Sequence, residues 1–152
     1  MSAPCDRRIK ADYLLLQKKP LEYATVTLED NLRVWTVSIM GPIDSPYEGG
    51  TFQVQLTFPD NYPHRAPEIK FITKIYHPLI DHKTNDFCPE EIVSAWKPIF
   101  HADFVISTIY KMLENPSIYQ QKGHDDDIMF QIRESYEKFV ETAKQWTENE
   151  AM

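Results

Sequence analysis

Two runs of alternating residues, joined by a short turn-rich connector, most constrain how this chain can fold. In Thr51–Phe58 every second side chain is apolar, and Arg33–Met40 puts Trp35, Val37 and Ile39 on one face. This period of two is typical of β-strands with one buried and one solvated face. The connector, GPIDSPYEGG, is rich in turn-forming residues and too short for a crossover helix. The two runs are therefore predicted to be antiparallel neighbours.

Two shorter runs, Tyr23–Leu28 and Glu68–Ile72, are predicted as further strands of the same sheet. Short connections favour a four-stranded antiparallel meander. Helical patterns lie before and after these strands, which makes the fold class α+β. At 152 residues, with no internal repeat and no linker, residues 1–152 are predicted to form a single domain.

Three helices are predicted from apolar residues that recur at a helical period. The first ends before Pro20, the second spans about Asp103–Glu114 with Asp103 as its N-cap, and the last spans about Asp127–Glu148. The acidic run at the start of the last helix is explained by capping, because carboxylates stabilise helix N-termini. Its members are Asp125, Asp126 and Asp127.

Composition excludes several classes of function. Sixteen Lys and Arg against 23 Asp and Glu give a net charge of −7, which argues against a nucleic-acid partner. No apolar run approaches the ~20 residues that span a bilayer, so no membrane role is expected. Two cysteines, without a CxxC pair, indicate a reducing compartment, the cytoplasm or nucleus, and no structural metal site.

A long stretch without a sustained period, from Thr73 to about Ala102, contains the residues best suited to chemistry. Structureless segments of this length in compact domains are usually functional. Cys88 lies here, in NDFCPEE, outside any periodic element. Cys5, the other cysteine, is predicted to be inert in a frayed terminus.

Three chemistries for Cys88 can be weighed from the residues alone. A cysteine hydrolase needs a base such as His77 or His101 nearby in space, and no local protease signature is present. A metal site would combine Cys88 with His77, His82 and His101, whose spacing is irregular. The third is thioester carriage, in which the sulfur holds an acyl group and passes it on. The acidic sequence neighbours of Cys88 disfavour a thiolate of the protease type.

A series of spaced motifs resembles the ubiquitin-conjugating enzyme (E2) family over nearly the whole chain. They are MGP, SPYEGG, FP-x-x-YP, P-x-I-x-F and YHP, followed by Cys88 and Trp96-Lys97-Pro98. The resemblance implies an N-terminal helix, a four-stranded antiparallel meander, a long active-site segment and C-terminal helices. It also implies that ubiquitin, or a related modifier, passes from an activating enzyme (E1) to Cys88 as a thioester, with no cofactor or metal on the enzyme itself. The acceptor is then a ligase cysteine or a substrate lysine.

The supporting active-site residues implied by the resemblance are Tyr76, His77, Pro78, Leu79, Asn85 and Gln120. Leu79 stands where the family motif has asparagine, whose amide is thought to stabilise the oxyanion or hold the loop. Asn85 could supply a substitute amide, although a turn is the simpler interpretation. Gln120 or Gln121 falls where an acid often orients the incoming lysine. Attack by a lysine amine is therefore predicted to be slow, and transfer to a ligase cysteine is preferred.

Partner-binding surfaces are also implied by the resemblance. The first helix of the family meets the activating enzyme, and two loops meet the ligase (E3), which is of the HECT, RBR or RING class. The matching residues are Arg7, Arg8 and Lys10 on the helix, Pro63 and His64 in one loop, and Trp96, Lys97 and Pro98 in the other. The family default is a monomer.

The alternative function is a catalytically impaired variant with the same fold. In that case Cys88 is vestigial, and the surface serves as a scaffold that binds ubiquitin or ligases. The substitution at Leu79 and the missing acid favour this alternative, whereas Cys88 itself favours the carrier.

Overall fold

The computed structural model describes residues 3–152 and has the predicted order of elements. A helix precedes four strands, and helices follow them, which confirms the α+β prediction. The elements are α1 (Pro4–Lys18), β1 (Ala24–Leu28), β2 (Val34–Met40), β3 (Thr51–Thr57), β4 (Glu68–Phe71), α2 (Glu90–Ala95), α3 (Ala102–Glu114), a 3-10 turn (Pro116–Tyr119), α4 (Asp126–Glu134) and α5 (Tyr136–Glu150). None of the helices within residues 3–152 is long and apolar enough to cross a membrane.

The sheet is an antiparallel meander in the order β1-β2-β3-β4, as predicted. Its register places the alternating apolar residues of the two long strands opposite each other, because every second side chain shares a face. The opposed pairs are Trp35 with Leu56, Val37 with Val54 and Ile39 with Phe52. All six side chains are buried in the core, together with the apolar faces of α1 and α3.

The start of α3 differs from the prediction. The helix begins at Ala102 with His101 at the N-cap position, and Asp103 lies in the first turn. The reason is tertiary, since the carboxylate that receives the Ala102 N–H, at 3.0 Å, belongs to Asp12 of α1. A cap supplied from another helix leaves no local signal in the sequence.

The single C-terminal helix that was predicted is two helices, α4 and α5, which part at Ser135. The prediction was wrong because the apolar period continues in phase through the break. Ile128, Ile132 and Phe139 are all buried on the same side although they belong to different helices. Periodicity alone cannot reveal a break that preserves the buried face.

The aperiodic segment is more ordered than its pattern indicates. It contains the short helix α2, in which Ile92 is the buried residue, and an isolated antiparallel bridge between Ile80 and Phe87. The frayed terminus predicted around Cys5 was also wrong. Cys5 lies in α1 with 4% of its surface exposed, and Arg33 Nη2 lies 3.0 Å from its sulfur.

Candidate active site

Cys88 opens onto a cavity of about 460 Å³ between the aperiodic segment, α2, α3 and the loop that follows the 3-10 turn. Its side chain is half-buried and forms no disulfide. Its backbone N–H donates to the Leu79 carbonyl oxygen at 3.1 Å. This bond belongs to the bridge region around Ile80 and Phe87, which holds the two limbs of the segment together. The sulfur is therefore accessible while its backbone is fixed.

The His77 imidazole is fully buried and engaged on both nitrogens. Its Nδ1 accepts from the Leu79 N–H at 3.0 Å, so Nε2 carries the proton and donates to the Met112 carbonyl oxygen at 2.8 Å. Burial lowers the pKa of His77 to about 4, although the Met112 carbonyl partly offsets this. His77 is thus neutral at pH 7 and positions the backbone that precedes Cys88.

The residues needed by the hydrolase and metal alternatives do not meet. His77 contacts Met112, whereas His101 Nδ1 lies 2.6 Å from Asp12 on another part of the molecule. Among the described residues, the lining of the Cys88 cavity includes no histidine. The sulfur therefore has neither an imidazole base nor imidazole ligands beside it.

Tyr76 and Pro78 attach the same segment to its surroundings. The Tyr76 hydroxyl donates to Gln131 Oε1 of α4 at 2.8 Å, and its carbonyl oxygen accepts from the Tyr47 hydroxyl at 2.6 Å. The Pro78 carbonyl oxygen accepts from the N–H groups of His124 and Asp125. Tyr76, His77 and Pro78 together tie the aperiodic segment to α3, α4 and the loop before α4.

Leu79 packs into the core with 8% of its surface exposed and lines the Cys88 cavity. A leucine side chain offers no hydrogen bond to a reacting group. Its role here is apolar packing, while its backbone N–H and carbonyl oxygen bind His77 and Cys88.

Asn85 adopts a left-handed conformation, with φ of 64°, and its amide is occupied by backbone groups. Its Nδ2 donates to the carbonyl oxygens of Phe71 and Thr73, and its Oδ1 accepts from the Ile75 N–H. Asparagine tolerates this conformation better than most residues. The side chain therefore joins the turn before Cys88 to the end of β4, and it does not line the Cys88 cavity.

The loop after the 3-10 turn places different residues at the cavity from the one predicted. Lys122 and Gly123 line it, whereas Gln120 is exposed and its carbonyl oxygen accepts from Arg133. Gly123 has no room for a side chain, since a Cβ would lie 2.7 Å from the Pro78 carbonyl oxygen. That close approach sets the course of the loop, and periodicity in the sequence gives no sign of it.

Asp125, which the sequence assigned only to helix capping, also holds the active-site segment. It is buried, its Oδ1 accepts from the Ile128 N–H of α4, and its Oδ2 accepts from His82 N–H and lies 2.6 Å from His82 Nδ1. Burial raises the pKa of Asp125, but the hydrogen bonds from His82 and Ile128 together outweigh burial, so the net effect is a lowered pKa. Asp127 brings a third ligand atom within 4.8 Å, so this group is the place where the described residues could hold a metal ion.

A carboxylate that the sequence analysis treated only as an acidic neighbour of Cys88 lies inside the cavity. Glu91, three residues after Cys88, lines the same cavity, and its Oε2 accepts from the Tyr119 hydroxyl at 2.9 Å. Burial and this bond raise the pKa of Tyr119, which keeps the hydroxyl protonated as a donor. No signal in the sequence distinguishes Glu91 from the other acidic neighbours of Cys88, because its place in the cavity depends on how α2 packs.

The residues predicted to bind partners lie on α1 and two loops. Arg7, Lys10, His64, Lys97 and Pro98 are exposed. Arg8 instead turns inward, with Nε 3.1 Å from Asp12 and Nη2 2.5 Å from the Phe100 carbonyl oxygen. Trp96 Nε1 donates to the Pro63 carbonyl oxygen at 2.7 Å and so joins the two loops.

Comparison with known proteins places these features in a family. Residues 8–147 match the family model described as ubiquitin-conjugating enzyme. The chain is 32% identical to Ubiquitin-conjugating enzyme E2 N of Drosophila melanogaster, over 100% of this chain and 99% of that one. It is 31% identical to Ubiquitin-conjugating enzyme E2 2 of Candida albicans, over 78% of this chain.

The chain spans 66% of the length of the Candida relative. It spans 61% of the length of Ubiquitin-conjugating enzyme E2 27 of Arabidopsis thaliana, with 37% identity over 78% of this chain. Among solved structures, a candidate ubiquitin conjugating enzyme from Plasmodium yoelii superposes with a TM-score of 0.92 at 28% identity, over 100% of this chain and 98% of that one. The chain belongs to the ubiquitin-conjugating enzyme family.

Proposed function

We propose that this protein carries ubiquitin as a thioester on Cys88, and that residues 1–152 form the single domain that does so. The observation that carries the proposal is Cys88 itself, a half-buried residue that lines a cavity of about 460 Å³ and whose backbone N–H donates to the Leu79 carbonyl oxygen. Family membership supplies the activating enzyme and the ligase as partners. The activity needs no cofactor or metal on this chain.

The chemistry is an exchange of thioesters. The Cys88 thiolate attacks the carbonyl carbon at the C-terminus of ubiquitin, which is bound as a thioester to the activating enzyme. A carbon–sulfur bond forms at Cys88, the original carbon–sulfur bond breaks, and the activating enzyme's cysteine leaves as a thiolate. No electron is gained or lost overall, so no oxidant is required.

For the second step, we propose that a ligase cysteine is the preferred acceptor. Leu79 takes the place of the family asparagine and offers no donor to the oxyanion. The Asn85 amide is occupied by three backbone groups, and Gln120 does not line the cavity. A lysine amine must lose a proton before it can attack, whereas a thiolate arrives ionised and depends less on help from the site. HECT and RBR ligases present such a cysteine.

One observation favours a second candidate, transfer to a substrate lysine. Glu91 places a carboxylate in the same cavity as Cys88, held by the Tyr119 hydroxyl. It would take the ammonium proton of an incoming lysine, so that the amine attacks the thioester and Cys88 leaves as the thiolate. This is the acceptor chemistry that RING ligases promote.

Partner contacts are assigned to the exposed residues of α1 and the two loops. Arg7 and Lys10 would face the activating enzyme, with Arg8 supporting them from within. Pro63, His64, Trp96, Lys97 and Pro98 would face the ligase. The family default supports a monomer, and the two unpaired cysteines support the cytoplasm or nucleus. The net charge of −7 argues against a nucleic-acid partner.

Incubation with activating enzyme, ATP and ubiquitin tests the carrier function. On a non-reducing gel we expect one new band that reductant removes and that Cys88→Ala lacks. Cys88→Ser should give an oxygen ester that resists reductant. If a competent activating enzyme yields no band with the wild-type chain, the scaffold alternative replaces the carrier.

Discharge of the loaded protein distinguishes the two acceptors. We expect free cysteine to empty Cys88 much faster than free lysine at equal concentration. Glu91→Gln is compared with Glu114→Gln, which removes the same charge from an exposed residue outside the cavity lining. If lysine discharge is rapid and only Glu91→Gln slows it, the lysine acceptor is the correct one.

A further inference from the structure

A buried carboxylate on α1 connects three parts of the chain. The Asp12 side chain is 0% exposed. Its Oδ1 accepts from Arg8 Nε at 3.1 Å and lies 2.6 Å from His101 Nδ1. Its Oδ2 accepts from the Ala102 N–H at 3.0 Å and from the Tyr62 hydroxyl. Four polar groups surround the carboxylate, as burial of a charge requires.

One of these contacts caps a helix. Ala102 is the first residue of α3, and His101 at the N-cap makes no side-chain capping bond of its own. The Asp12 carboxylate fills that place, where the free N–H groups and the helix dipole both favour a negative charge. Asp12 therefore links α1 directly to the first residue of α3.

The other contacts lead to the two loops. Tyr62 directly precedes Pro63 and His64, and its ring packs 5.7 Å from the Trp96 ring. Arg8, which also binds Asp12, donates to the Phe100 carbonyl oxygen at 2.5 Å. Asp12 is thus connected to the first loop through Tyr62 and to the second through Arg8.

We propose that Asp12 is a positioning residue for partner recognition, which holds α1, the helix assigned to the activating enzyme, in place relative to the two loops assigned to the ligase. This rests on the partner surface assigned under the proposed function. Asp12 itself is buried and touches no partner. The residues that do, Arg7, Lys10, His64, Lys97 and Pro98, are exposed around it.

A purely structural role predicts a different outcome from a positioning role. If Asp12 only stabilised the fold, its loss would lower stability and would impair every step in proportion. If it positions the surface, its loss raises the KM with the activating enzyme and leaves the intrinsic reactivity of loaded Cys88 unchanged. The separation of KM from kcat therefore distinguishes the two roles.

The test uses the full chain as Asp12→Asn, with Tyr62→Phe as a milder variant that keeps the ring and loses the hydroxyl. In loading by activating enzyme, ubiquitin and ATP we expect Asp12→Asn to raise KM by roughly tenfold and Tyr62→Phe by less, at unchanged kcat. Discharge of either loaded variant to free cysteine should match the wild type. Thr147→Val is the control, because it removes a buried hydroxyl bond to Ala143 on α5 and should leave KM unchanged.

The positioning role is overturned if KM is unchanged in both variants, or if kcat and free-cysteine discharge fall together with stability. If Asp12→Asn does not fold, Tyr62→Phe carries the kinetic test. Hydrogen exchange gives a readout independent of activity, since residues 62–64 and the Ala102 amide should lose protection together. If the wild type is not loaded at all, the proposed function fails, and hydrogen exchange alone decides whether Asp12 couples the loops to α1.

Discussion

His77 donates from Nε2 to the Met112 carbonyl oxygen over 2.8 Å, and so fixes the backbone before Cys88 against α3. Because the other nitrogen accepts from the Leu79 N–H, no nitrogen of the ring is left to act as a base or ligand. The role of His77 is therefore structural, because it positions the backbone that precedes Cys88.

The burial of His77 predicts a loss of stability in mild acid. Its pKa is about 4 in the folded chain and about 6.5 when exposed. Between these values the unfolded state binds a proton that the folded state does not, so the free energy of unfolding falls as pH drops from 6.5 to 4. The full loss is about 3 kcal/mol. Urea unfolding at several pH values measures it.

His77→Gln provides the control for this pH dependence. The variant keeps a donor but cannot titrate, so its stability should vary less over the same window. An equally steep decline in the variant would assign the acid sensitivity to other groups.

Asn85 should be sensitive to substitution for two separable reasons. Asn85→Ala removes three backbone contacts and forces an alanine into φ of 64°, whereas Asn85→Gly removes only the contacts. We expect both variants to be less stable than the wild type, and the alanine variant to be about 1–2 kcal/mol less stable than the glycine variant. Urea unfolding compares the two. Equal stabilities would show that the conformation carries no strain.

Leu79→Asn introduces, at a buried site, the asparagine that the family resemblance implies for this position. Losing the apolar side chain should cost about 2–4 kcal/mol of stability. If the missing donor limits attack by amines, discharge of loaded Cys88 to free lysine should rise by on the order of 10²-fold, with discharge to cysteine unchanged. Leu79→Ala is the control, since it loses the packing without gaining an amide. Acceleration in both variants would implicate loosening of the segment.

Asp125→Ala should weaken the start of α4 and its contact with the active-site segment. The carboxylate receives the Ile128 N–H of α4 and the N–H of His82, so we expect a loss of about 1–3 kcal/mol. The neighbouring acid, Asp126, is exposed, and Asp126→Ala should cost much less. Hydrogen exchange of the first turn of α4 measures the effect, and similar losses in both variants would contradict the assignment.

The strands could be predicted from the sequence to within one residue at each end, because alternation reports directly which face of a strand is buried. The pairing of Trp35 with Leu56 follows from that alternation and the short connector. The break at Ser135 could not be predicted, since α4 and α5 bury the same side of a continuous pattern.

The candidate site, too, could be predicted only in part from the sequence. Cys88 could be predicted as a functional residue because it lies outside any periodic element. The resemblance of the spaced motifs to a known family then implied which reaction it performs. The carboxylate of Glu91 beside it, and the exclusion of Gln120 from the cavity, depend on how α2 and the loop before α4 pack together. No local pattern records that packing.

The sequence by itself determined the α+β class, the meander and the cysteine in the aperiodic segment, because burial periodicity and motif spacing are properties of neighbouring residues. Only the tertiary structure decided that Asp12 caps α3 and that both ring nitrogens of His77 are occupied by hydrogen bonds. Both depend on hydrogen bonds between residues far apart in the chain, 90 positions for Asp12 with Ala102 and 35 for His77 with Met112. A polar group that is satisfied at such a distance has no signature among its neighbours in sequence, because its partner is chosen by the packing of the whole core.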